Sequence, residues 1–406
     1  MSSRIALVVP EYRTDVAPGG GVSTVAEFVY FALAAVPDWK VEVFSPRMWS
    51  GAPESQRIRD PRSWLKGPTV RVGRVGGVRV TYVGSHFAEI ELLRYRSRRV
   101  LRELLASFDL ILVVSGTPAV FEIVRGVRVP LLAQVATTAD TERERIIMQG
   151  NILQRIYRRV NCSFVSRLDR RGVRRPDLIL VENARMEDWC RAHGARNVRI
   201  EPPGIDTDFY APDKVASQPS GYILSVGRLG DPRKDFGLLL RAYAHAICNA
   251  GLTQRLVIAG RGDLPAAVHR TLEELDIDSR VEVRSNLSPR DLRDAYRGAA
   301  LFAMSSSEEG LGMVLIEALA CGVPIVSTAT EGAKSVVAIA GTGDLVEFGD
   351  DLASRLGSAM ARLVADSDER KRRSEQARAA AVEHFGLHGT SRRFREAVRS
   401  LLSTGH

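Results

Sequence analysis

The residues best suited to chemistry lie in one stretch, residues 305–328, which contains two carboxylates. Glu309 lies in a small-residue loop beside Gly310 and Gly312. Glu317 follows on the apolar helix that the sequence predicts next, with seven residues between the two acids. Backbone N–H groups at a helix N-terminus bind phosphate readily, and glycines let the phosphate approach closely. This arrangement suits a nucleotide sugar better than it suits a packed core.

Basic residues follow an earlier predicted strand, residues 222–226. Gly227 and Arg228 stand at its end, and Lys234 precedes the next predicted helix. Because ligands of open α/β sheets bind outside the carboxyl ends of the strands, Arg228 and Lys234 are placed to meet phosphates. The alternative for each is an ordinary surface charge. Such cations, together with helix N-termini, can stabilise a departing diphosphate without a metal ion.

A glycine triplet, residues 19–21, lies between the first predicted strand and a segment with helical periodicity, residues 22–33. Gly20 and Gly21 at this position allow backbone N–H groups to approach a phosphate, although a flexible turn has the same composition. The triplet is not a G-x-G-x-x-G fingerprint, so the sequence does not predict dinucleotide binding.

The alternation of strand and helix patterns predicts the fold class. A chain of 406 residues, 45% of them apolar, is long enough for two domains. Compact apolar runs alternate with helical segments in both halves, which predicts two doubly wound α/β domains. Pro202, Pro203 and Gly204 break the chain near its midpoint. We therefore predict domains at 1–203 and 204–385, followed by a C-terminal helix within 386–406.

Three local signals refine this outline. Residues 69–83 alternate apolar and polar positions around a glycine pair, which predicts a hairpin or two short strands. Ser288 and Pro289 are typical of a helix cap and the first helical residue. Asp206 and Asp208 lie in the predicted linker, and we interpret them as turn residues rather than metal ligands, so no metal site is predicted.

Composition excludes several classes of protein. The four cysteines have no paired spacing, which argues against a disulfide framework or a zinc site. No apolar run reaches the roughly 18 residues of a spanning helix. The first residues are interpreted as a strand rather than a signal peptide. The net charge of +9 favours anionic partners. We expect a cytoplasmic location.

Most of the positive charge comes from residues 141–175, which contain ten arginines. Apolar residues recur there at every fourth position: Ile152, Ile156, Val160, Phe164 and Leu168. We expect this stripe to pack on its domain; the alternative is a helix on an anionic membrane surface, which would make the protein peripheral at the inner membrane face. A second cluster supports that alternative: Arg94, Arg96, Arg98, Arg99 and Arg102. Nucleic acid is not an expected partner, because stacking aromatics do not alternate with the arginines.

In combination, these segments resemble a known family. The block EEGLGMVLIEALACGVP at residues 308–324 resembles the E-x7-E signature of the retaining GT-B glycosyltransferases of family four, the glycosyl transferases group 1. The resemblance continues, in order along nearly the whole chain, in PGGGVSTV near the N-terminus, PPGIDTDFY at 202–210, VGRLGDPRKDFGLLLRAY at 226–243 and LVIAGRGD at 256–263. It implies two Rossmann-like domains that face each other across a cleft. The N-terminal domain would bind the acceptor and the C-terminal domain the nucleotide sugar, with the last helix returning to the N-terminal domain.

The resemblance also implies roles for single residues. Glu317 would bind the ribose hydroxyls of the nucleotide, and Glu309 would hold the hydroxyls of the donor sugar. Arg228 and Lys234 would neutralise the diphosphate, so that Glu309, Arg228 and Lys234 form the catalytic set. The other donor-binding positions are glycines and backbone groups: Gly20, Gly21, Gly227, Asn286, Leu287, Gly310, Leu311 and Gly312.

The sequence departs from the family pattern on the acceptor side. Many members carry a histidine after the strand that corresponds to residues 131–135, and this chain has Ala136, Thr137 and Thr138 there. Thr137 or Thr138 would line the site instead, or His86 would approach from another loop. These three are the acceptor-side candidates.

The expected activity is a metal-independent retaining transfer of a sugar from a nucleotide diphosphate sugar, with UDP or GDP as the expected nucleotide. The acceptor, whether a glycan, a lipid-linked molecule or a small molecule, is not identified by the residues. The alternatives are a nucleotide-sugar epimerase of the same fold and a basic scaffold that binds membranes.

Overall fold

A computed structural model describes residues 2–10, 12, 21–49, 51–148, 150–213 and 221–404. The chain divides into two compact units. Unit 1 joins the residues up to Pro203 with the segment from Thr390 onward, and unit 2 comprises Gly204–Gly389. The sequence places the corresponding divisions after residues 203 and 385.

Unit 1 contains an eight-stranded sheet. Its strands are β1 (Ser3–Val8), β2 (Trp39–Pro46), β3 (Val70–Val75), β4 (Val78–Val83), β5 (Leu110–Ser115), β6 (Leu131–Val135), β7 (Leu178–Val181) and β8 (Val198–Ile200). The order is β3-β4-β2-β1-β5-β6-β7-β8. Among the described strand pairs of this sheet, only β3–β4 is antiparallel, and it forms the predicted hairpin. The central strands are buried apolar runs, as expected of a sheet covered on both faces.

The helices of unit 1 cover both faces of this sheet. They are α1 (Gly21–Ala34), α2 (Pro61–Lys66), α3 (Glu91–Arg94), α4 (Arg99–Leu105), α5 (Ala139–Ile147), α6 (Ile152–Gly172) and α7 (Ala184–Ala192). A 3-10 helix, Pro118–Val124, connects β5 toward β6. Alternate residues of the central strands enter two apolar clusters, one on each face, so the unit has a core on both sides of its sheet.

Unit 2 contains a six-stranded parallel sheet. Its strands are β9 (Tyr222–Arg228), β10 (Leu256–Arg261), β11 (Val281–Ser285), β12 (Ala299–Met304), β13 (Ile325–Thr328) and β14 (Asp344–Val346). The order is β11-β10-β9-β12-β13-β14. The chain therefore builds from β9 toward one edge and then from β12 toward the other, so the strand order reverses between β9 and β12. Open α/β sheets bind ligands at such a reversal.

Seven α-helices surround this sheet in the described part of unit 2. They are α8 (Phe236–Ala250), α9 (Ala266–Glu274), α10 (Pro289–Arg297), α11 (Met313–Ala320), α12 (Glu331–Ala340), α13 (Leu352–Ala365) and α14 (Ser367–Ala380). Short turns of 3-10 helix lie at Pro232–Lys234 and Asp278–Arg280, and a π-helical turn at Ala381–Phe385 follows α14.

The last helix, α15 (Leu387–Thr404), packs on unit 1 for most of its length. Phe394 meets Phe28 of α1 edge to face, with 5.3 Å between ring centroids. The Arg395 side chain donates a hydrogen bond of 2.7 Å to the carbonyl of Ala32. The return of the C-terminal helix to the N-terminal unit and the α/β fold class of both units are therefore confirmed.

Helix α6 has two different halves. Its buried residues all lie in the C-terminal half: Cys162, Val165, Ser166, Asp169 and Gly172. The apolar residues of the N-terminal half are exposed. The expectation that the whole apolar stripe packs on the domain is therefore wrong for residues 152–160, because only the later turns of the helix meet the rest of the unit.

Candidate active site

The reversal between β9 and β12 brings two of the predicted catalytic residues together. Lys234 follows β9, and Glu309 lies in the loop after β12. The Lys234 Nζ atom lies 2.5 Å from Glu309 Oε1, and both side chains are mostly buried. The two residues are 75 positions apart, so their contact follows from the adjacency of the two strands.

The turn that carries Lys234 is held from both sides. Asp231 accepts a hydrogen bond of 3.1 Å from the backbone N–H of Arg233, which caps the 3-10 turn. Ser305 donates to the carbonyl of Lys234 at 2.8 Å, and the N–H of Ser307 donates to the carbonyl of Arg233 at 2.8 Å. The loop after β12 and the turn after β9 are therefore fastened into one structure.

Glu309 is positioned by its own loop as well as by the lysine. Ser306 donates a hydrogen bond of 2.7 Å to Glu309 Oε1. The N–H of Gly332, in the first turn of α12, donates to the carbonyl of Glu309 at 3.1 Å. A Cβ at position 332 would lie 2.7 Å from the backbone of Leu311, so only glycine allows α12 to approach this loop so closely.

The loop leads into the N-terminus of α11. Gly312 is the cap residue, with the left-handed φ of +83° that glycine adopts readily, and no side chain caps the helix. The first turn of α11 contains no acidic residue. An uncapped helix N-terminus attracts anions, because it combines unsatisfied N–H groups with the positive end of the helix dipole. Gly310 and Leu311 lie in the same loop.

Glu317 lies one turn farther along α11, in a more enclosed position. The hydroxyl of Tyr296 donates a hydrogen bond of 2.8 Å to Glu317 Oε2. Burial raises the pKa of Glu317 to about 7, although hydrogen bonds from Tyr296 and Tyr210 act in the opposite direction. The predicted pair of acids is therefore asymmetric: Glu309 has a cationic partner, and Glu317 has phenolic partners.

Arg228 is less enclosed than Lys234. Its side chain is about half exposed and pairs with Asp231 Oδ2 at 2.6 Å. Arg233 holds the same carboxylate at 2.9 Å and also reaches Glu308 at 3.0 Å. Burial alone would raise the pKa of Asp231, but the hydrogen bonds and charge of Arg233, with the charge of Arg228, lower it. Each predicted catalytic cation thus already has a carboxylate partner.

The other donor-side positions of unit 2 lie at the carboxyl ends of β9 and β11, which flank β10. Gly227 is near the end of β9, beside the aliphatic stem of Lys234. Asn286 follows β11 and has a left-handed φ of 56°. Its N–H donates to the carbonyl of Gly260 at 2.6 Å, and its side-chain oxygen accepts from the N–H of Gly262 at 3.1 Å. Leu287 packs against the unit's core.

The acceptor-side candidates lie in unit 1, at different strand ends. The N–H of Thr137 donates to the carbonyl of Gly116 at 2.9 Å, and the Thr138 hydroxyl lies 3.0 Å from that of Thr141. His86 lies after β4, with Nδ1 2.5 Å from the Gln56 side-chain oxygen. Burial, followed by the charges of Arg96 and Arg98, lowers the pKa of His86.

The structure does not place His86 next to the two threonines. Strands β2, β1 and β5 lie between β4 and β6, so the two strand ends are about 19 Å apart at the usual strand spacing. Gly21 is the first residue of α1. Gly20 lies outside the described residues.

Several residues of the site carry no clear sequence signal. Ser306 was detectable only as part of a serine run before the first acid, and Gly332 only as one of many glycines. Tyr296 lies in α10, which is separated from Glu317 by a strand and a loop, so its contact with the acid is purely tertiary. Asp206 accepts hydrogen bonds from the N–H groups of Asp208 and Phe209, as expected of a turn.

Among the residues that the structure describes, no group of three or more His, Cys, Asp and Glu side chains comes together in a way that could hold a metal ion. In the same part of the chain, no helix has the length and apolar character needed to cross a membrane.

Comparison with known proteins identifies the family of unit 2. The model of the family "Glycosyl transferases group 1" matches residues 206–380, a range that contains Arg228, Lys234, Glu309 and Glu317. Residues 206–380 belong to the glycosyl transferases group 1. For these residues, the match confirms the group 1 family expected from the E-x7-E block.

Similar sequences carry one recurrent description. A D-inositol 3-phosphate glycosyltransferase of Xylanimonas cellulosilytica is 33% identical over 215 residues, which are 48% of this chain and 50% of that protein. A D-inositol 3-phosphate glycosyltransferase of Corynebacterium jeikeium is 28% identical over 253 residues, 57% of this chain and 59% of that protein. The chain thus spans about half the length of these curated relatives.

Solved structures of similar fold extend over the whole chain. Sucrose-phosphate synthase from Thermosynechococcus elongatus has a TM-score of 0.71 at 20% identity, covering 99% of this chain and 100% of the other. The Anabaena protein HepE, solved with UDP and glucose, has a TM-score of 0.68 at 15% identity, covering 98% of this chain and 100% of the other. At these identities the likeness concerns the fold, which is that of GT-B glycosyltransferases.

Proposed function

We propose that this protein transfers a sugar from a nucleotide diphosphate sugar to an acceptor hydroxyl, with retention of the anomeric configuration and without a divalent metal ion. The observation that carries the proposal is the Lys234–Glu309 pair beside the uncapped N-terminus of α11. A cation, a carboxylate and an anion-binding helix end stand together at the reversal of strand order, where ligands of such sheets bind.

The residues divide the work of transfer between them. Lys234 stabilises the negative charge that develops on the departing diphosphate, together with the N-terminal N–H groups of α11. Arg228 joins them by exchanging Asp231 for a phosphate oxygen. Glu309 then accepts hydrogen bonds from the hydroxyls of the donor sugar, and Glu317 accepts them from the ribose.

Retention follows if both bond changes occur on one face of the sugar. The bond between the anomeric carbon and the β-phosphate oxygen breaks, and the acceptor oxygen bonds to the same carbon from the same side. The acceptor proton passes to the departing phosphate oxygen. No enzyme nucleophile is needed, and Glu309 is assigned to orientation of the sugar.

The nucleotide is proposed to be UDP or GDP. The similar fold of HepE, which was solved with UDP and glucose, supports UDP as the first choice. A thermal-shift panel of UDP-, GDP-, ADP- and dTDP-sugars should identify the donor, because a ligand that binds only the folded state raises the melting temperature. The panel is repeated with EDTA, and metal independence predicts the same rise.

The proposal does not identify the acceptor. The relatives described as D-inositol 3-phosphate glycosyltransferases make that phosphorylated polyol the first acceptor to assay. Glycans and lipid-linked acceptors follow.

The decisive experiment combines the identified donor with the acceptor set and follows the anomeric carbon by NMR. A product with the donor's anomeric configuration is expected. An inverted product would overturn the retaining mechanism. If the donor is converted to an epimer in the absence of any acceptor, the protein is an epimerase and not a transferase. If no nucleotide sugar raises the melting temperature, the proposed donor site is wrong.

A further inference from the structure

The N-terminal half of α6 presents an apolar surface to solvent. We use the name hairpin tip for six residues at and after the α5–α6 connection, each between 55% and 74% exposed: Met148, Ile152, Leu153, Ile156, Tyr157 and Val160. Within the helix, the spacing of these residues places them on one broad face over two to three successive turns. Single exposed apolar side chains are ordinary on a protein surface, but a contiguous patch marks a contact.

The hairpin tip lies far along the helix from the point where α6 is anchored. The two carboxylate oxygens of Asp169 accept hydrogen bonds of 2.7 Å from the N–H groups of Ala119 and Ala139. These two residues follow β5 and β6, so the anchor lies at the carboxyl edge of the sheet. Ile152 is about 25 Å from Asp169 along the helix axis. This reach makes the tip available to a large partner.

The charge of the segment has one sign. Between Glu144 and Asp169 the sequence contains five arginines and no acidic residue. Arg155 and Arg159, which lie among the apolar residues of the tip, are exposed. An amphipathic helix of this composition gains from apolar burial and from attraction to negative charge at the same time.

We propose that the hairpin tip binds the surface of a membrane that contains anionic lipids. Its apolar side chains would enter the boundary of the acyl chains, while Arg155 and Arg159 meet the headgroups. Tyr157 suits this depth because its ring is apolar and its hydroxyl is polar. This proposal does not depend on the proposed transfer reaction.

Charge favours a membrane over a second copy of the chain. A symmetric contact between two hairpin tips would bring the arginines of one copy toward the same residues of the other, since a two-fold interface uses the same patch twice. Like charges in such a contact oppose association. An anionic lipid surface can bury the apolar side chains in its acyl region and pair the arginines with its negative headgroups.

The second arginine cluster is partly engaged within the fold. Arg98 is buried and donates hydrogen bonds to the carbonyls of Val83 and Arg47. Arg94 pairs with Glu91, and Arg99 pairs with Glu103. Arg98 therefore cannot add to a lipid surface, because it is buried and its donors are used within the fold. For the exposed members of the cluster the expectation stays a prediction.

The test is sedimentation with vesicles of equal parts phosphatidylcholine and phosphatidylglycerol, compared with vesicles of phosphatidylcholine alone. An apolar variant combines Ile152→Ser, Ile156→Ser and Val160→Ser, and a charge variant combines Arg155→Ala with Arg159→Ala. The matched control combines Arg128→Ala with Arg196→Ala, two exposed arginines of the same unit that lie outside the hairpin tip. Melting temperatures are measured for all variants and should match the wild type, because the changed side chains are exposed.

The wild type should bind the anionic vesicles and release them at high salt. The apolar variant should bind about tenfold more weakly or worse, since binding scales with the apolar area buried. The charge variant should lose about fivefold per arginine, and the control should bind as the wild type does. Equal binding of all variants would overturn the proposal. So would absence of wild-type binding, or a wild-type dimer in sedimentation velocity that the apolar variant abolishes.

Discussion

Two buried or partly buried carboxylates at the carboxyl edges of the two sheets differ in how they are used. In unit 1, both oxygens of Asp169 accept backbone N–H groups at 2.7 Å, and the residue is completely buried. In unit 2, the contacts described for the Glu309 carboxylate use Oε1, which meets Lys234 and Ser306. The Glu309 side chain keeps 12% of its surface exposed.

This difference separates a structural acid from a candidate catalytic acid. Asp169 joins the starts of two segments that follow adjacent strands, and its hydrogen-bonding capacity is used within the backbone. Burial raises the pKa of Asp169 to about 7, although the two N–H donors act to lower it. Glu309 is held by groups that can exchange partners when a ligand arrives. Location at the carboxyl edge is therefore not enough to assign function, and the identity of the partners decides.

The largest effect is expected at the Lys234–Glu309 pair. Lys234→Ala and Glu309→Gln should each lower turnover about a thousandfold, because each removes a group proposed to act on the donor in the transition state. Initial rates with the identified donor and acceptor measure this loss. Lys334→Ala and Glu347→Gln are matched controls, since these two residues form an exposed ion pair of the same unit. Near-normal turnover in both site variants would contradict the site assignment.

At Asp169 the effect should fall on stability. Asp169→Ala leaves the N–H groups of Ala119 and Ala139 buried without their acceptors, which should lower the free energy of unfolding by about 3 kcal/mol. Urea unfolding followed by circular dichroism measures the change. Asp188→Ala, an exposed position in the same unit, is the control. Donor affinity should not change; unchanged stability with loss of transfer would make Asp169 a reacting group and erase the contrast with Glu309.

Substitution of Glu317 by glutamine should raise the stability of the protein above pH 7 and weaken its binding of the donor. Its folded pKa of about 7 lies above the ordinary value of 4.5, so the native state takes up a proton between these values. Wild-type stability therefore falls as the pH rises from about 4.5 to about 7. Glu317→Gln lacks this fall and should be more stable by about 3 kcal/mol above pH 7, with no gain near pH 4.

The same Glu317→Gln protein should bind the donor about tenfold more weakly, because an amide replaces the carboxylate proposed to hold the ribose. Denaturation at several pH values and donor titration test the two effects separately. A variant that gains stability but binds the donor normally would assign Glu317 to the Tyr296 contact alone.

The smallest effect is expected on the acceptor side. Thr138→Val should raise the acceptor KM about fivefold or less and leave the donor Kd unchanged, since one neutral hydroxyl contributes about 1 kcal/mol. Thr141→Val removes the other half of the same hydroxyl pair. If Thr141→Val reproduces the effect of Thr138→Val, the pair is structural and Thr138 does not face the acceptor.

Local features of the fold were predictable from short segments. The β3–β4 hairpin forms around its glycine pair. Ser288 caps α10, where its side chain accepts from the N–H of Asp291, and Pro289 is the first helical residue. These predictions succeed because turn and cap preferences depend on a few consecutive residues.

The burial of α6 was not predictable in the same way. Its apolar stripe runs regularly from Ile152 to Leu168, but this periodicity shows only that the helix has an apolar face. Whether a neighbour covers that face depends on where the helix is anchored, and here the anchor at Asp169 leaves the first turns exposed.

The sequence by itself determined the alternation of strands and helices and the residues of the E-x7-E block, because these depend on spacing within a few turns of chain. Only the tertiary structure decided the partners. Lys234 meets Glu309 because the order of the sheet sets β9 beside β12, and Tyr296 meets Glu317 because α10 and α11 pack into one core. The sequence shows which chemical groups are present and how they are spaced along the chain. The order of the strands determines which of those groups come close enough to act together.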